Sequence, residues 1–262
     1  MLPRPSAGCA WTTESVRGEA AIELRRLGKD FGPKRALRDV SLTVGWGEVF
    51  GYVGANGAGK TTTIKILTGL IRPTSGDAFV GGHSVLEQPL EVKARLGYVP
   101  ESGALFEKFS PVEYLTLIGR LYRLSEARLR DRMGEELRTF SLEADKDKPM
   151  GVLSKGAKQK VCWISALLHG PDVLVLDEPL NGLDVETVAH VKEMMRGLAQ
   201  QGRTMFYSSH LIDIVEKVCT RIGVIHAGQL VSVGTVSEVM AGAGAASLEQ
   251  ALLALSGSAA SA

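Results

Sequence analysis

The run Gly54-Ala55-Asn56-Gly57-Ala58-Gly59-Lys60-Thr61 satisfies the spacing GxxxxGK[ST]. A backbone so rich in glycine can curl until successive N–H groups point inward at phosphate oxygens, and a helix opening at its end adds partial positive charge. In such a loop Lys60 reaches the β and γ phosphates of a nucleotide, and the Thr61 hydroxyl holds Mg²⁺. An ordinary glycine-rich turn needs one or two glycines and gives no reason for the Lys-Thr pair. The loop alone does not separate kinases, GTPases and motor ATPases.

A second group of chemistry-bearing residues lies far along the chain. Val173-Leu174-Val175-Leu176-Asp177-Glu178 is four apolar residues ending in two acids. In a doubly wound sheet ligands collect at the carboxyl ends of strands, so both acids would arrive beside the phosphate loop. Asp177 suits a Mg²⁺ shell, and Glu178 is then free to orient or deprotonate an attacking water. Asp177 alone would equally fit a helix N-cap, but the doublet is harder to explain that way. His210 closes a similar run, Met205-Phe206-Tyr207-Ser208-Ser209-His210. It can touch a γ-phosphate or the water, although a lone histidine at a strand end is often structural.

These residues need strands and helices to position them. Ile22 and Leu24 alternate with charged neighbours, Val40, Leu42 and Val44 alternate with Ser41 and Thr43, and Val49 to Val53 runs apolar as a buried strand would. Helical spacing of Ile64, Leu67 and Ile71 predicts a helix from Lys60 to about Leu70, and 78–99 returns to short strands. Ser110-Pro111-Val112-Glu113 is a capping box, and the chain reads as charged helix to about residue 150. A helix near 157–169, a strand from Val173 to Leu176, a helix at 185–201 and a strand at 204–208 come next. Strands alternating with helices argue for a mostly parallel sheet covered on both faces.

Bulk properties narrow the partners. A chain of 262 residues, 45% hydrophobic, can bury a full core, and 30 Lys+Arg against 29 Asp+Glu leave no field to attract nucleic acid. Cys9, Cys162 and Cys219 are scattered, which reads as reduced thiols in a cytosolic protein. Residues 1–20 are rich in Pro, Ser, Gly and Thr, as expected of a flexible extension and not of a signal peptide, and no run reaches membrane-spanning length. Ser6-Ala7-Gly8-Cys9 matches a lipoprotein cleavage site only by chance, because no apolar run precedes it.

Leu153-Ser154-Lys155-Gly156-Ala157-Lys158-Gln159-Lys160 resembles the LSGGQ signature of ABC ATPases, and the family's order of elements is matched from about residue 22 to 240. Ser154 caps the helix there, and Gly156 lets another backbone approach closely. The resemblance implies an α/β fold: a P-loop NTPase core with a mostly parallel sheet, an N-terminal antiparallel β subdomain, and an inserted helical lobe at about 102–165. Residues 1–20 would be an extension, and 241–262 a small-residue-rich tail with one short helix from Ser247 to Leu255.

By the same resemblance Phe31 stacks on adenine, and residues 54–62, from Gly54 through Thr61 to Thr62, bind the triphosphate. Ser154 and Gly156 reach a second subunit's ATP, Asp184 of Asn181-Gly182-Leu183-Asp184 communicates across the dimer, and His210 is the switch histidine. Glu101, in Pro100-Glu101, stands where many members carry a metal-sensing glutamine and leaves Thr61, Glu101 and Asp177 as the metal ligands. Lys155 and Ala157 replace Gly and Gln in the signature, and Asn181-Gly182 replaces the commoner Ser-Ala.

The resemblance also implies hydrolysis of ATP with Mg²⁺, in partnership with a second copy or a homologous ATPase subunit. A separately encoded integral membrane permease would hold the pair at the cytoplasmic face of the cell membrane. The Pro-Glu and Ser-Lys-Gly variants and the 247–253 helix look like the exporter branch that serves drugs and polysaccharides. Two alternatives stand beside it. DNA or ribosome ATPases of the family carry a long coiled coil or two ATPase domains, neither of which is present, and a regulatory module with a dead site would not need both Glu178 and His210.

Overall fold

The computed structural model describes residues 19–101 and 106–258. The expected extension, with Cys9 and the Ser6 to Cys9 run, lies outside the described residues, apart from its last two positions.

Among the described residues the strands form two sheets. The first is antiparallel and is ordered β2-β1-β4-β5, with β1 Ile22–Phe31, β2 Lys34–Val44, β4 Ser75–Val80 and β5 His83–Ser84. The second runs β10-β9-β3-β8-β7-β6, comprising β3 Val49–Val53, β6 Leu96–Val99, β7 Val173–Asp177, β8 Thr204–Ser208, β9 Arg221–His226 and β10 Gln229–Gly234. Neighbours from β9 to β6 pair parallel, and β10 is antiparallel, as the hairpin partner of β9.

The parallel strands read as continuous apolar runs because both of their faces are buried. Phe50, Tyr52, Val173, Val175 and Phe206 point to a core shared with the antiparallel sheet and with helix α1, Lys60–Leu67. Their alternates Val49, Val53, Leu174, Leu176, Met205 and Tyr207 point to the opposite core. That second core is closed by α5 Lys155–Leu167 and α6 Val185–Gln200, and by α7 Ile212–Val218, α8 Val236–Gly242 and α9 Leu248–Ser258. Helices α3 Pro111–Leu121 and α4 Glu126–Thr139 bury Leu115, Leu129 and Leu137 in it, around the fully buried Trp163.

Local chemistry explains the helix ends. The capping box on α3 is formed: the Ser110 hydroxyl accepts from the Glu113 amide, and the Glu113 carboxylate accepts from the Ser110 amide. Helix α1 stops at Leu67, short of the expected Leu70, because Gly69 adopts φ 69° and the Gly69 and Leu70 amides turn back to Ile66 and Lys65. That is a Schellman closure. The stretch 78–99 also holds a helix that the pattern does not predict, α2 Pro89–Arg95, which buries only Val92 and leaves Leu90 exposed, so it carries almost no apolar period.

Candidate functional site

Four adjacent parallel strands end on one side of the second sheet. β3 feeds the glycine loop, β8 runs into Ser209 and His210, β7 ends at Asp177 before Glu178, and β6 leads to Pro100 and Glu101. Residues more than a hundred positions apart are thereby collected by strand order alone.

They meet in a cavity of about 580 Å³, within the range of roughly 300 to 1,000 Å³ usual for ligand pockets. Phe31, Asn56, Gly57, Gly59, Lys60, Thr61 and Thr62 are among its lining residues. Glu101, Asp177, Glu178 and His210 line it too, and Lys34 and Ala36 complete the wall. Lys34 and Ala36 are absent from the sequence expectation. A signal for them exists in the chain, because Gly32-Pro33 makes a tight hairpin that pairs Lys34 with Phe31.

The loop is shaped by two of its glycines. A Cβ on Gly54 would overlap the Ile225 carbonyl of β9, and Gly59 has φ 119° with the Ala36 carbonyl 3.0 Å from where a Cβ would stand. No side chain caps the N-terminus of α1, so that end is left to an anion. The Lys60 ammonium lies across the loop and donates to the carbonyls of Gly54 at 2.6 Å and Ala55 at 3.1 Å. Gly54, Ala55 and Ala58 do not line the cavity; Ala58 is buried, and its amide donates to Ala55.

Electrostatically the cavity sets Lys60 against three carboxylates, with Lys34 also on its wall. Burial holds Lys60 below its ordinary pKa, and Glu178, Asp177 and Glu101 oppose that shift. Asp177, 4% exposed, is pushed up to about 6 by burial and then by Glu101 and Glu178, against the pull of Lys60. Crowded carboxylates of this kind favour a cation between them. Among the described residues no three His, Cys, Asp or Glu side chains form a self-sufficient metal cage. Mg²⁺ does not need one, since it is usually bound by one or two carboxylates together with substrate phosphates. The oxygen donors Thr61, Asp177 and Glu101 fit a metal that arrives with a triphosphate.

Glu178 sits in a left-handed backbone conformation, φ 45°, with its amide donating to the Ser208 carbonyl. Its Oε1 is 2.8 Å from His210 Nδ1, and its Oε2 accepts from the Ser209 hydroxyl at 3.1 Å. Gln159, buried on α5, donates Nε2 to the carbonyls of Pro100 at 3.0 Å and Pro179 at 3.3 Å, the residues next to Glu101 and Glu178. Trp163 Nε1 donates to the same Pro179 carbonyl at 3.0 Å. Sequence reasoning misses these supports, because a buried amide and a buried serine look there like any polar residue.

Ser154, Gly156 and Asp184 do not line the cavity. Ser154 caps α5 by accepting from the Ala157 amide at 3.1 Å, as expected. The backbone that Gly156 admits is this chain's own, since a Cβ there would stand 2.5 Å from the Gly182 carbonyl. Asp184 caps α6: Oδ1 accepts from the Thr187 amide at 2.8 Å, and Oδ2 from the Thr187 hydroxyl at 2.9 Å. Lys160 Nζ lies 3.2 Å from the same carboxylate. The Thr187 bonds come first in holding Asp184 down at about 2.

A glycine loop at the end of β3, paired acids at the end of β7 and a capped Ser-x-Gly helix between them define a nucleotide-binding ATPase. Residues 37–181 match the family model of the ABC transporter, and the chain belongs to that family as an ATP-binding subunit and ATPase. The ABC transporter ATP-binding protein NatA of Bacillus subtilis (strain 168) is 35% identical over 207 residues, 78% of this chain and 84% of its own. The Nod factor export ATP-binding protein I of Paraburkholderia xenovorans (strain LB400) is 34% identical over 223 residues, 85% of this chain and 73% of its own. A solved ATP-binding subunit of an ABC transporter superposes with a TM-score of 0.85 at 32% identity, covering 90% of this chain and 99% of that one. Among the described residues no helix is long and apolar enough to cross a membrane.

Proposed function

We propose that this chain binds ATP with Mg²⁺ in the strand-end cavity, dimerises around two nucleotides, and powers export through a separately encoded permease. The observation that carries the reading is the meeting of Lys60, Thr61, Asp177, Glu178 and His210 in one cavity. Phe31 stacks on the base, Lys60 and the part of the 54–62 loop that lines the cavity hold the triphosphate, and Thr61, Asp177 and Glu101 would hold the metal, which would offset phosphate charge. Glu178 takes a proton from water as the water oxygen bonds to the γ-phosphorus. The bond from that phosphorus to the ADP oxygen breaks, yielding ADP, phosphate and a proton.

The dimer is supported by Ser154 and Gly156, which stand outside the cavity on a capped helix end with exposed neighbours. In a dimer of copies, or with a homologous subunit, that helix end would close the partner's cavity. Docking on a permease is supported by the exposed apolar side chains Phe106, Leu121 and Val152 on the helical layer. It would place the protein at the cytoplasmic face of the membrane. Export is supported by the relative named for Nod factor export, together with the Pro100-Glu101 and Ser154-Lys155-Gly156 variants.

Glu178→Gln tests the core of this reading. An amide keeps shape and hydrogen bonding but cannot act as base, so ATP binding should persist while hydrolysis falls by roughly two to four orders of magnitude. Stalled ATP should also hold two subunits together, visible as a shift to dimer in size-exclusion chromatography with ATP. Full hydrolysis by the variant would remove Glu178 from the mechanism.

A further inference from the structure

A glutamate's last torsion is soft: its carboxylate plane rotates in a broad, roughly two-fold well. A base that must meet one water in one direction therefore needs its oxygens held. Consecutive residues approach the two oxygens of Glu178, Ser209 with a hydrogen bond and His210 with a close contact. His210 Nδ1 lies 2.8 Å from Oε1 on the cavity side, with its side chain 57% exposed. Ser209 bonds Oε2 and is only 3% exposed, outside the cavity lining.

The Ser209 hydroxyl also accepts from the Leu211 amide, at 3.1 Å. A hydroxyl carries one hydrogen and two lone pairs, and an ionised carboxylate only accepts. With the Leu211 amide occupying a lone pair, the hydrogen goes to Glu178. Ser209 is thus locked as a donor by its own backbone turn, whereas His210 stands more than half exposed at the cavity. Oε2 is pinned at the rear, and Oε1, shared with His210, is the oxygen left to face the cavity.

We propose that Ser209 is the positioning residue for Glu178: its buried hydroxyl fixes the carboxylate plane so that Oε1 meets the attacking water. The inference rests on the reading of Glu178 as base. Ser209 lies outside the cavity lining and would act through Glu178, so its effect belongs in kcat and not in ATP affinity.

Steady-state ATP hydrolysis by Ser209→Ala, alone and combined with Glu178→Gln, tests this, alongside fluorescent-nucleotide titration and thermal melting. Loss of orientation should lower kcat by about 10- to 100-fold with KM for ATP unchanged. Ser209→Thr, which keeps the hydroxyl, should restore most of the rate. The double variant should be no slower than Glu178→Gln alone. A Ser209→Ala enzyme with normal kcat, or a double variant slowed by the full Ser209→Ala factor again, overturns the proposal. If Ser209→Ala no longer binds nucleotide, Ser209→Thr against Ser209→Val makes the same comparison, since the two share shape and differ in the hydroxyl; equal rates would overturn it. Unimpaired hydrolysis by Glu178→Gln would instead overturn the reading of the base, a separate outcome.

Discussion

The strand-end cavity and the α5–α6 corner both gather polar and charged side chains, yet they are built in opposite ways. In the cavity, ionisable groups are crowded together: Lys60 borrows two backbone carbonyls, and three carboxylates face it. At the corner, the corresponding groups are already matched within the chain. Ser154 accepts from Ala157, Asp184 caps α6 and meets Lys160, and Gly156 packs on Gly182. A group of poised, crowded charges awaits a ligand of its own, whereas a satisfied helix end on the surface offers a rigid face to something else. That difference supports a division of labour in which the first region does the chemistry and the second completes a neighbour's site.

The largest expected effect is on the cavity side. Lys60→Ala removes the ammonium that faces Asp177, Glu178 and Glu101 and leaves those carboxylates to repel a triphosphate. Hydrogen bonds from a charged donor contribute about 1.5 to 3 kcal/mol each, so losing contacts to two phosphates should weaken ATP-Mg²⁺ binding by two orders of magnitude or more. Nucleotide titration reads this directly. Wild-type affinity would mean that the loop only supports the fold, and the contrast between the two regions would vanish.

The next test strikes the corner and spares the cavity. In a Glu178→Gln background, Ser154→Arg places bulk and charge on the exposed helix end while removing a cap that contributes about 1 kcal/mol. ATP titration should change little, while the ATP-dependent dimer should return to monomer in size-exclusion chromatography. A dimer that persists would show that the corner plays no part in association. Loss of ATP binding in a folded variant would show that the two regions are not separate.

How much of this contrast is legible in the sequence depends on the kind of signal. The loop, the paired acids and the cap at Ser154 are local patterns, and each stands where its spacing places it. The apolar runs at Val49 to Val53 and Val173 to Leu176 also read directly, since strands buried on both faces have no polar positions to confuse the period. Helix α2 is invisible because it buries one side chain, and the end of α1 is overrun because the Gly69 closure outweighs the apolar spacing that continues to Ile71. Gln159 and Ser209 act through backbone carbonyls and a carboxylate that only the folded chain brings near. Gly156 shows the opposite case, in which the need for close approach is legible but the partner, Gly182, is not.

The smallest expected effect separates the charges of the cavity from a second displaced carboxyl, on α4. Glu136 is pushed up to about 7 by burial first, with Glu135 adding to the shift and Arg132 and Arg203 opposing it. Unlike Asp177, it is not among the residues lining the cavity, so its displacement belongs to folding alone. The folded-state value lies above the ordinary 4.5 of a glutamate. Between about 4.5 and 7 the folded chain therefore binds more protons at this group than the unfolded chain does. Its contribution to stability is fully present below the lower value and is lost as pH rises through the upper one. The full interval corresponds to an upper bound of roughly 3 kcal/mol, and Glu136 is partly solvated, so about 1 to 2 kcal/mol is expected. Glu136→Gln, which does not titrate, should gain stability relative to the parent by that amount between about pH 5 and pH 8, read from denaturant midpoints at the two values. ATP-Mg²⁺ affinity should be the same in both proteins at either pH. A stability difference that is flat with pH would mean that Glu136 is ionised in the folded state, and that Arg132 and Arg203 outweigh its burial.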